Sequence, residues 1–146
     1  DYTVIIDYSH TPDSLENILR AVRGFCTGRI IAVFGCGGDR DPFKRPVMGK
    51  IAAELSDLAI VTSDNPRTED PYKILRQILA GMQDTETPYE VIESRVSAIG
   101  RAMELAQKDD VIVLCGKGHE TYQEIGHEKH HLDEREVVAS YLEANA

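Results

Sequence analysis

The chain has 146 residues, 42% of them hydrophobic and 28% charged, which fits one globular domain around a single core. Sixteen Lys and Arg stand against 25 Asp and Glu, a formal net charge of −9 that disfavours non-specific binding to nucleic acid or anionic lipid. The longest apolar runs, such as Ile30-Ile31-Ala32-Val33-Phe34, have the length of a strand and fall far short of the roughly 20 residues of a membrane helix.

In chain order, Thr3-Val4-Ile5-Ile6 reads as a strand. Thr11-Pro12 then predicts a helix start, with Thr11 as N-cap and Pro12 at the first helical position. Leu15, Ile18, Leu19 and Val22 recur at helical spacing and give that helix one buried face. Residues 29–34 form a second strand, a glycine-rich loop follows, and Pro46 opens a helix to about Leu55. Residues 58–61 form a third strand that ends in the polar loop 62–70. Asp70-Pro71 repeats the cap and proline, and Ile74, Ile78 and Leu79 supply the apolar stripe. A strand is expected at 89–92, a helix capped by Ser94 to about Gln107, and a buried strand at 111–115. Residues 122–125 and 129–132 suggest a hairpin about Gly126, and Asp133 with Glu136 three residues on predicts a capping box on a last helix. Strands alternating with helices predict an α/β fold with an open, mostly parallel sheet, in which ligands bind beyond the carboxyl ends of the strands.

Four loops follow strands and hold most of the Gly, His, Arg and Lys that lie off helical faces. They are 7–12 (DYSHTP), 35–46, 64–67 (DNPR) and 116–120 (GKGHE). Gly35-Cys36-Gly37-Gly38 starts like a dinucleotide fingerprint, but Arg40 stands where its third glycine belongs, and no GxxxxGK[ST] occurs. The glycines fit either a tight turn or close backbone approach to a ligand. Arg40, Lys44 and Arg45 suit carboxylate or phosphate groups, although charge alone favours pairing with Asp39 and Asp41 or a solvated loop. Asp64-Asn65-Pro66-Arg67 by itself reads first as an Asx-type turn. It also offers a grip for a zwitterion, with the carboxylate or amide on an ammonium and Arg67 on a carboxylate. Lys117, His119 and Glu120 lie among glycines, where Glu120 suits an amine. His127, His130 and His131 read as surface residues, since the last two point to opposite faces of a strand. Cys26, Cys36 and Cys115 are odd in number, form no CxxC and suit a reducing compartment.

The segments DYSHTPDSLE, FGCGGDRDPFKRPVMG, TSDNPRTEDP and GKGHETYQ, in this order, resemble the Mur ligase family of ATP-dependent amide ligases, and within it the members that add meso-diaminopimelate. They run from about Asp7 to Gln123, and DNPR is the discriminating element, because lysine-adding members carry another residue at the arginine. The resemblance implies a Rossmann-like domain with helices on both faces of the sheet and a C-terminal β-hairpin. It implies that residues 1–146 are the C-terminal, amino-acid-binding domain of a cytoplasmic, monomeric three-domain enzyme. Its UDP-binding and central ATPase domains would lie outside this chain, as the start at Asp1 and the missing signal and P-loop suggest.

The implied substrates are meso-diaminopimelate, UDP-MurNAc-L-Ala-D-Glu and ATP, with Mg²⁺ and most of the ATP held by the central domain. Arg40, Asn65, Arg67, Gly116 and Glu120 would bind diaminopimelate, and Asp64 would belong to the same motif. Asp7, Tyr8 and His10 would approach ATP on domain closure, with Lys44 and Arg45 as phosphate neighbours. No catalytic residue, metal ligand, nucleic-acid site or membrane contact is expected in this chain, and the isolated fragment is expected to be inactive. Two alternatives stay open at this stage: a stand-alone binding module without catalysis, and a related ligase using another amino acid.

Overall fold

Five short runs rich in β-branched residues make the central sheet, which the computed structural model describes with the rest of residues 1–145. The strands are β1 (Thr3–Asp7), β2 (Ile30–Phe34), β3 (Leu58–Val61), β4 (Tyr89–Val91) and β5 (Val111–Cys115). They lie in the order β1-β5-β2-β3-β4, and every pairing is parallel. β2, β3 and β5 are buried along their whole length, as strands covered on both faces must be.

The period of two along the strands splits the core into layers. Ile30, Ala32 and Phe34 face α1 (Pro12–Arg23), α2 (Lys44–Leu55) and α3 (Pro71–Leu79), through residues such as Leu15, Leu19, Met48, Ala52, Ile74 and Ile78. Ile31 and Val33 face α4 (Arg95–Leu105) and, beyond it, α5 (Glu134–Ala144), where Ala98, Ile99, Ala102 and Met103 fill the layer. Leu15, Leu19 and Ile78 are fully buried, and truncation of any one to Ala would cost about 2–5 kcal/mol.

The caps form at the expected residues: Thr11, Asp70, Ser94 and Asp133 each accept a backbone N–H of the following turn. Two local expectations fail. α2 begins at Lys44, not Pro46, because a proline within the first turn removes only an N–H that has no acceptor inside the helix. Glu136 does not complete a capping box on Asp133, because its carboxylate lies 2.7 Å from His131 Nε2 instead. The hairpin pairs β6 (Tyr122–Ile125) with β7 (Glu128–His131), one residue earlier than expected in its second strand, around Gly126 at φ 63°.

Candidate functional site

The loops that leave the carboxyl ends of β1, β2, β3 and β5 converge on one cavity of about 390 Å³, within the size range of small-ligand sites. The β1 loop contributes Tyr8 and His10, and the β2 loop contributes Arg40, Lys44 and Arg45. The β3 loop adds Asp64, Asn65 and Arg67, and the β5 loop adds Gly116 and Glu120. Of the residues expected to bind diaminopimelate or approach ATP, only Asp7 stays out of the lining. Its carboxylate accepts the Ser9 N–H at 3.0 Å and closes an Asx turn, and its carbonyl accepts the Gly116 N–H.

The hairpin holds the β3 loop open to the cavity, a contact that the sequence did not announce. Gln123 Nε2 donates to the Asp64 carbonyl at 2.6 Å, and the Glu124 N–H donates to Asn65 Oδ1 at 2.9 Å. The Arg67 N–H donates to the Glu124 carbonyl at 3.1 Å, and the Gly126 N–H donates to the Arg67 carbonyl at 2.7 Å. These bonds keep Arg67 at φ 51°, a left-handed conformation that costs a non-glycine residue about 1–3 kcal/mol and persists only when its surroundings impose it. The Arg67 guanidinium donates from Nε to Glu124 at 3.3 Å and from Nη1 to the Gly38 carbonyl at 3.0 Å. Its Nη2 has no partner among the described residues. A side chain at Gly37 would meet Arg67 Nη1 at 2.9 Å, and one at Gly38 would collide with the Pro66 carbonyl. These glycines therefore serve close packing of the β2 loop on the DNPR loop.

Asn65 corrects one expectation. Its amide oxygen does not await an ammonium from a ligand, because it already accepts from Lys117 Nζ at 2.8 Å and from the Glu124 N–H. The amide NH₂ makes no bond among the described residues and is the group left to the cavity. It is a donor, suited to a carboxylate. The acceptors for a positive group are Asp64 and Glu120. Both stand on the Lys117 ammonium, at 3.4 Å and 3.6 Å. Glu120 also faces Tyr8, whose hydroxyl is held above its ordinary pKa chiefly by that carboxylate. Gly116, at φ 119°, lets the chain turn beneath Asp64 where an L side chain would be strained.

The cationic wall comes from the β2 loop and α2. Arg40 and Lys44 are exposed at the cavity, and among the described residues neither forms an ion pair with the carboxylate of Asp39 or Asp41. Arg40 instead donates from Nη1 to the Asp39 carbonyl at 3.0 Å. Arg45 differs from both. It is 1% exposed, and its terminal nitrogens donate to Glu69 at 2.7 and 3.0 Å, to Gln77 at 2.6 Å and to the Gly37 carbonyl at 2.8 Å. Bonded to Arg45, the Glu69 carboxyl is pulled down to about 2. Arg45 is thus a brace beneath the loop, with its charge already neutralised.

Sequence reasoning missed two buried cations. Lys117 is fully buried in the wall, and Arg95 is 1% exposed beneath the same loops. Arg95 donates to the Ser63 carbonyl at 3.1 Å, the Cys115 carbonyl at 2.8 Å and Glu134 at 2.7 Å, tying the ends of β3 and β5 to the start of α5. Both cations follow strand ends or caps in the sequence, but nothing local marks them as buried. Among the described residues no group of three or more His, Cys, Asp or Glu could hold a metal ion, and His127, His130 and His131 are exposed.

Comparison with known proteins places this geometry among relatives. The family model "Mur ligase, glutamate ligase domain" matches residues 1–118. A UDP-N-acetylmuramoyl-L-alanyl-D-glutamate–2,6-diaminopimelate ligase from Trichormus variabilis is 65% identical over 97% of this chain, and one from Clostridium tetani is 56% identical over 97%. A solved structure of a ligase of that name superposes with a TM-score of 0.95 at 41% identity over 99% of this chain. The chain spans 28–30% of the length of these relatives.

Proposed function

The chain belongs to the Mur ligase family, and from that membership we propose that it is the C-terminal domain of the ATP-dependent enzyme that joins meso-diaminopimelate to UDP-MurNAc-L-Ala-D-Glu. Its task is to bind and orient the incoming diamino acid. The observation that carries this is the division of one cavity into a guanidinium wall, Arg40 and Arg67, and a carboxylate wall, Asp64 and Glu120.

Meso-diaminopimelate carries an ammonium and a carboxylate at each end, so it needs both walls. Guanidinium groups meet planar carboxylates with two parallel N–H donors, and the Asn65 NH₂ adds a second kind of donor beside them. Asp64 and Glu120 accept from an ammonium. Lysine lacks the distal carboxylate and would leave a cavity arginine desolvated without its partner. Sites built on a polar partner reject the analogue that lacks it by as much as ~10⁴–10⁵-fold.

ATP with Mg²⁺, held mainly by the rest of the parent enzyme, supplies the phosphoryl group that activates the precursor's carboxylate. The residues of this chain fit an approach to that nucleotide but not its capture. Tyr8 and His10 make an exposed aromatic rim with ring centroids 4.8 Å apart, and Lys44 offers an exposed ammonium nearby. The sequence contains no P-loop motif, and the described residues include no carboxylate cluster for the metal. The chain's contribution to catalysis is therefore positional: it holds the nucleophilic amine at the reacting carbonyl and displaces water as the domains close.

An amino-acid screen on the whole ligase tests the proposal. Meso-diaminopimelate should be used, and L-lysine should be disfavoured in kcat/KM by at least ~10³-fold. Equal use of the two would contradict it.

A further inference from the structure

Behind the carboxylate wall lies a cation that the proposed function leaves without a task. Lys117 is 0% exposed and does not line the cavity, yet all its close polar partners do. Its Nζ stands 2.8 Å from Asn65 Oδ1, 3.4 Å from Asp64 Oδ1 and 3.6 Å from Glu120 Oε1. Removing an ammonium from water costs several kcal/mol, so a buried one persists only where its partners compensate it.

We infer that Lys117 is the positioning residue of this site: a hidden ammonium that sets which way Asn65 faces and holds Asp64 and Glu120 together in one wall. Resting on the diaminopimelate assignment, this adds the residue that gives the wall its polarity. The chemistry of Asn65 makes the point. Lys117 Nζ and the Glu124 backbone N–H can only donate, so the atom between them must be the amide oxygen. With the oxygen fixed inward, the NH₂ is fixed toward the cavity. Without the ammonium, one of the two donors is gone, and rotation of the amide would present an acceptor to a ligand carboxylate. The same ammonium serves Asp64, whose Oδ1 is buried without a hydrogen bond and has its ion-pair contact with Lys117 at 3.4 Å. It also lies between two carboxylates that would otherwise repel each other across the wall. Lys117 therefore acts on the ligand only through its neighbours.

The test is a double-mutant cycle in the whole ligase with Lys117→Met and Asn65→Ala. Lys117→Met should raise KM for meso-diaminopimelate by ~30-fold or more and leave KM for ATP within about 2-fold, the split expected of lost substrate positioning. The double variant should be no worse than the weaker of the two single variants, because both remove one function. Additive losses, or equal rises in both KM values, would overturn the inference. If Lys117→Met does not fold, a structure of the unmodified ligase with meso-diaminopimelate decides. The Asn65 NH₂ should contact the ligand and Lys117 Nζ should not, and a direct bond from Nζ to the ligand would sink the idea. An unmodified ligase that does not use meso-diaminopimelate overturns the proposed function itself. One that does, with Lys117→Met unimpaired, overturns this inference alone.

Discussion

Arg67 shows how much one residue carries. Its backbone is left-handed, its Nε and Nη1 are held by Glu124 and Gly38, and its Nη2 has no partner among the described residues. A lysine there would keep the charge but lose the planar fork and the bonds that aim it. Arg67→Lys in the whole ligase should therefore lower kcat/KM for meso-diaminopimelate by ~10–100-fold, the value of a charge-assisted hydrogen bond of about 1.5–3 kcal/mol, as steady-state kinetics would show. Glu69 gives a pH prediction. Its carboxyl is lowered from 4.5 to about 2 by Arg45, so the pair's contribution to stability is complete above pH 4.5 and is lost as pH falls toward 2. The stability gap between the wild type and Glu69→Gln should be constant above about pH 5.5 and close between 4.5 and 2 in acid denaturation followed by circular dichroism. The sequence displayed Arg67 plainly, since DNPR packs unusual chemistry into four residues. It could not separate Arg45 from Arg40 and Lys44. Burial of Arg45 depends on Glu69 and Gln77, which are far along the chain and reach it only through the fold.

At the scale of elements, what was legible was what is local. Thr11, Asp70, Ser94 and Asp133 cap helices because each has the side chain and the following turn to do so within a few residues. The buried strands announced themselves by continuous apolar runs. How elements dock was not legible. The hairpin braces the DNPR loop by main-chain bonds, which leave no trace in residue type. The seat of α5 rests on Arg95 and Glu134, both fully buried, which join α4, β3, β5 and α5 at one point. Burial works against the Arg95 charge, but Glu134 foremost and Asp64 after it hold its pKa above the ordinary value. Glu134→Ala would strand that guanidinium. The chain should lose about 3–5 kcal/mol in urea denaturation, whereas Arg95→Met with Glu134→Leu should recover much of the loss, because an apolar pair of similar volume replaces an ion pair cheaply.

On the scale of the molecule, the strand order places the loops of β1, β5, β2 and β3 side by side, while β4 lies at the far edge and gives nothing to the cavity. The general rule for open α/β sheets, read from the alternation alone, points to the strand ends where this cavity lies. The rule does not say which loop meets which, and so the division into a cationic and an anionic wall emerged only in three dimensions. Tyr8, His10 and Lys44 line the cavity and are exposed. The most direct measurement is a crystal structure of the whole ligase with meso-diaminopimelate. The distal carboxylate should lie against the Arg67 guanidinium with an ammonium at Asp64 or Glu120. The diamino acid bound elsewhere, with Arg67 still closed on Gly38 and Glu124, would contradict the assignment.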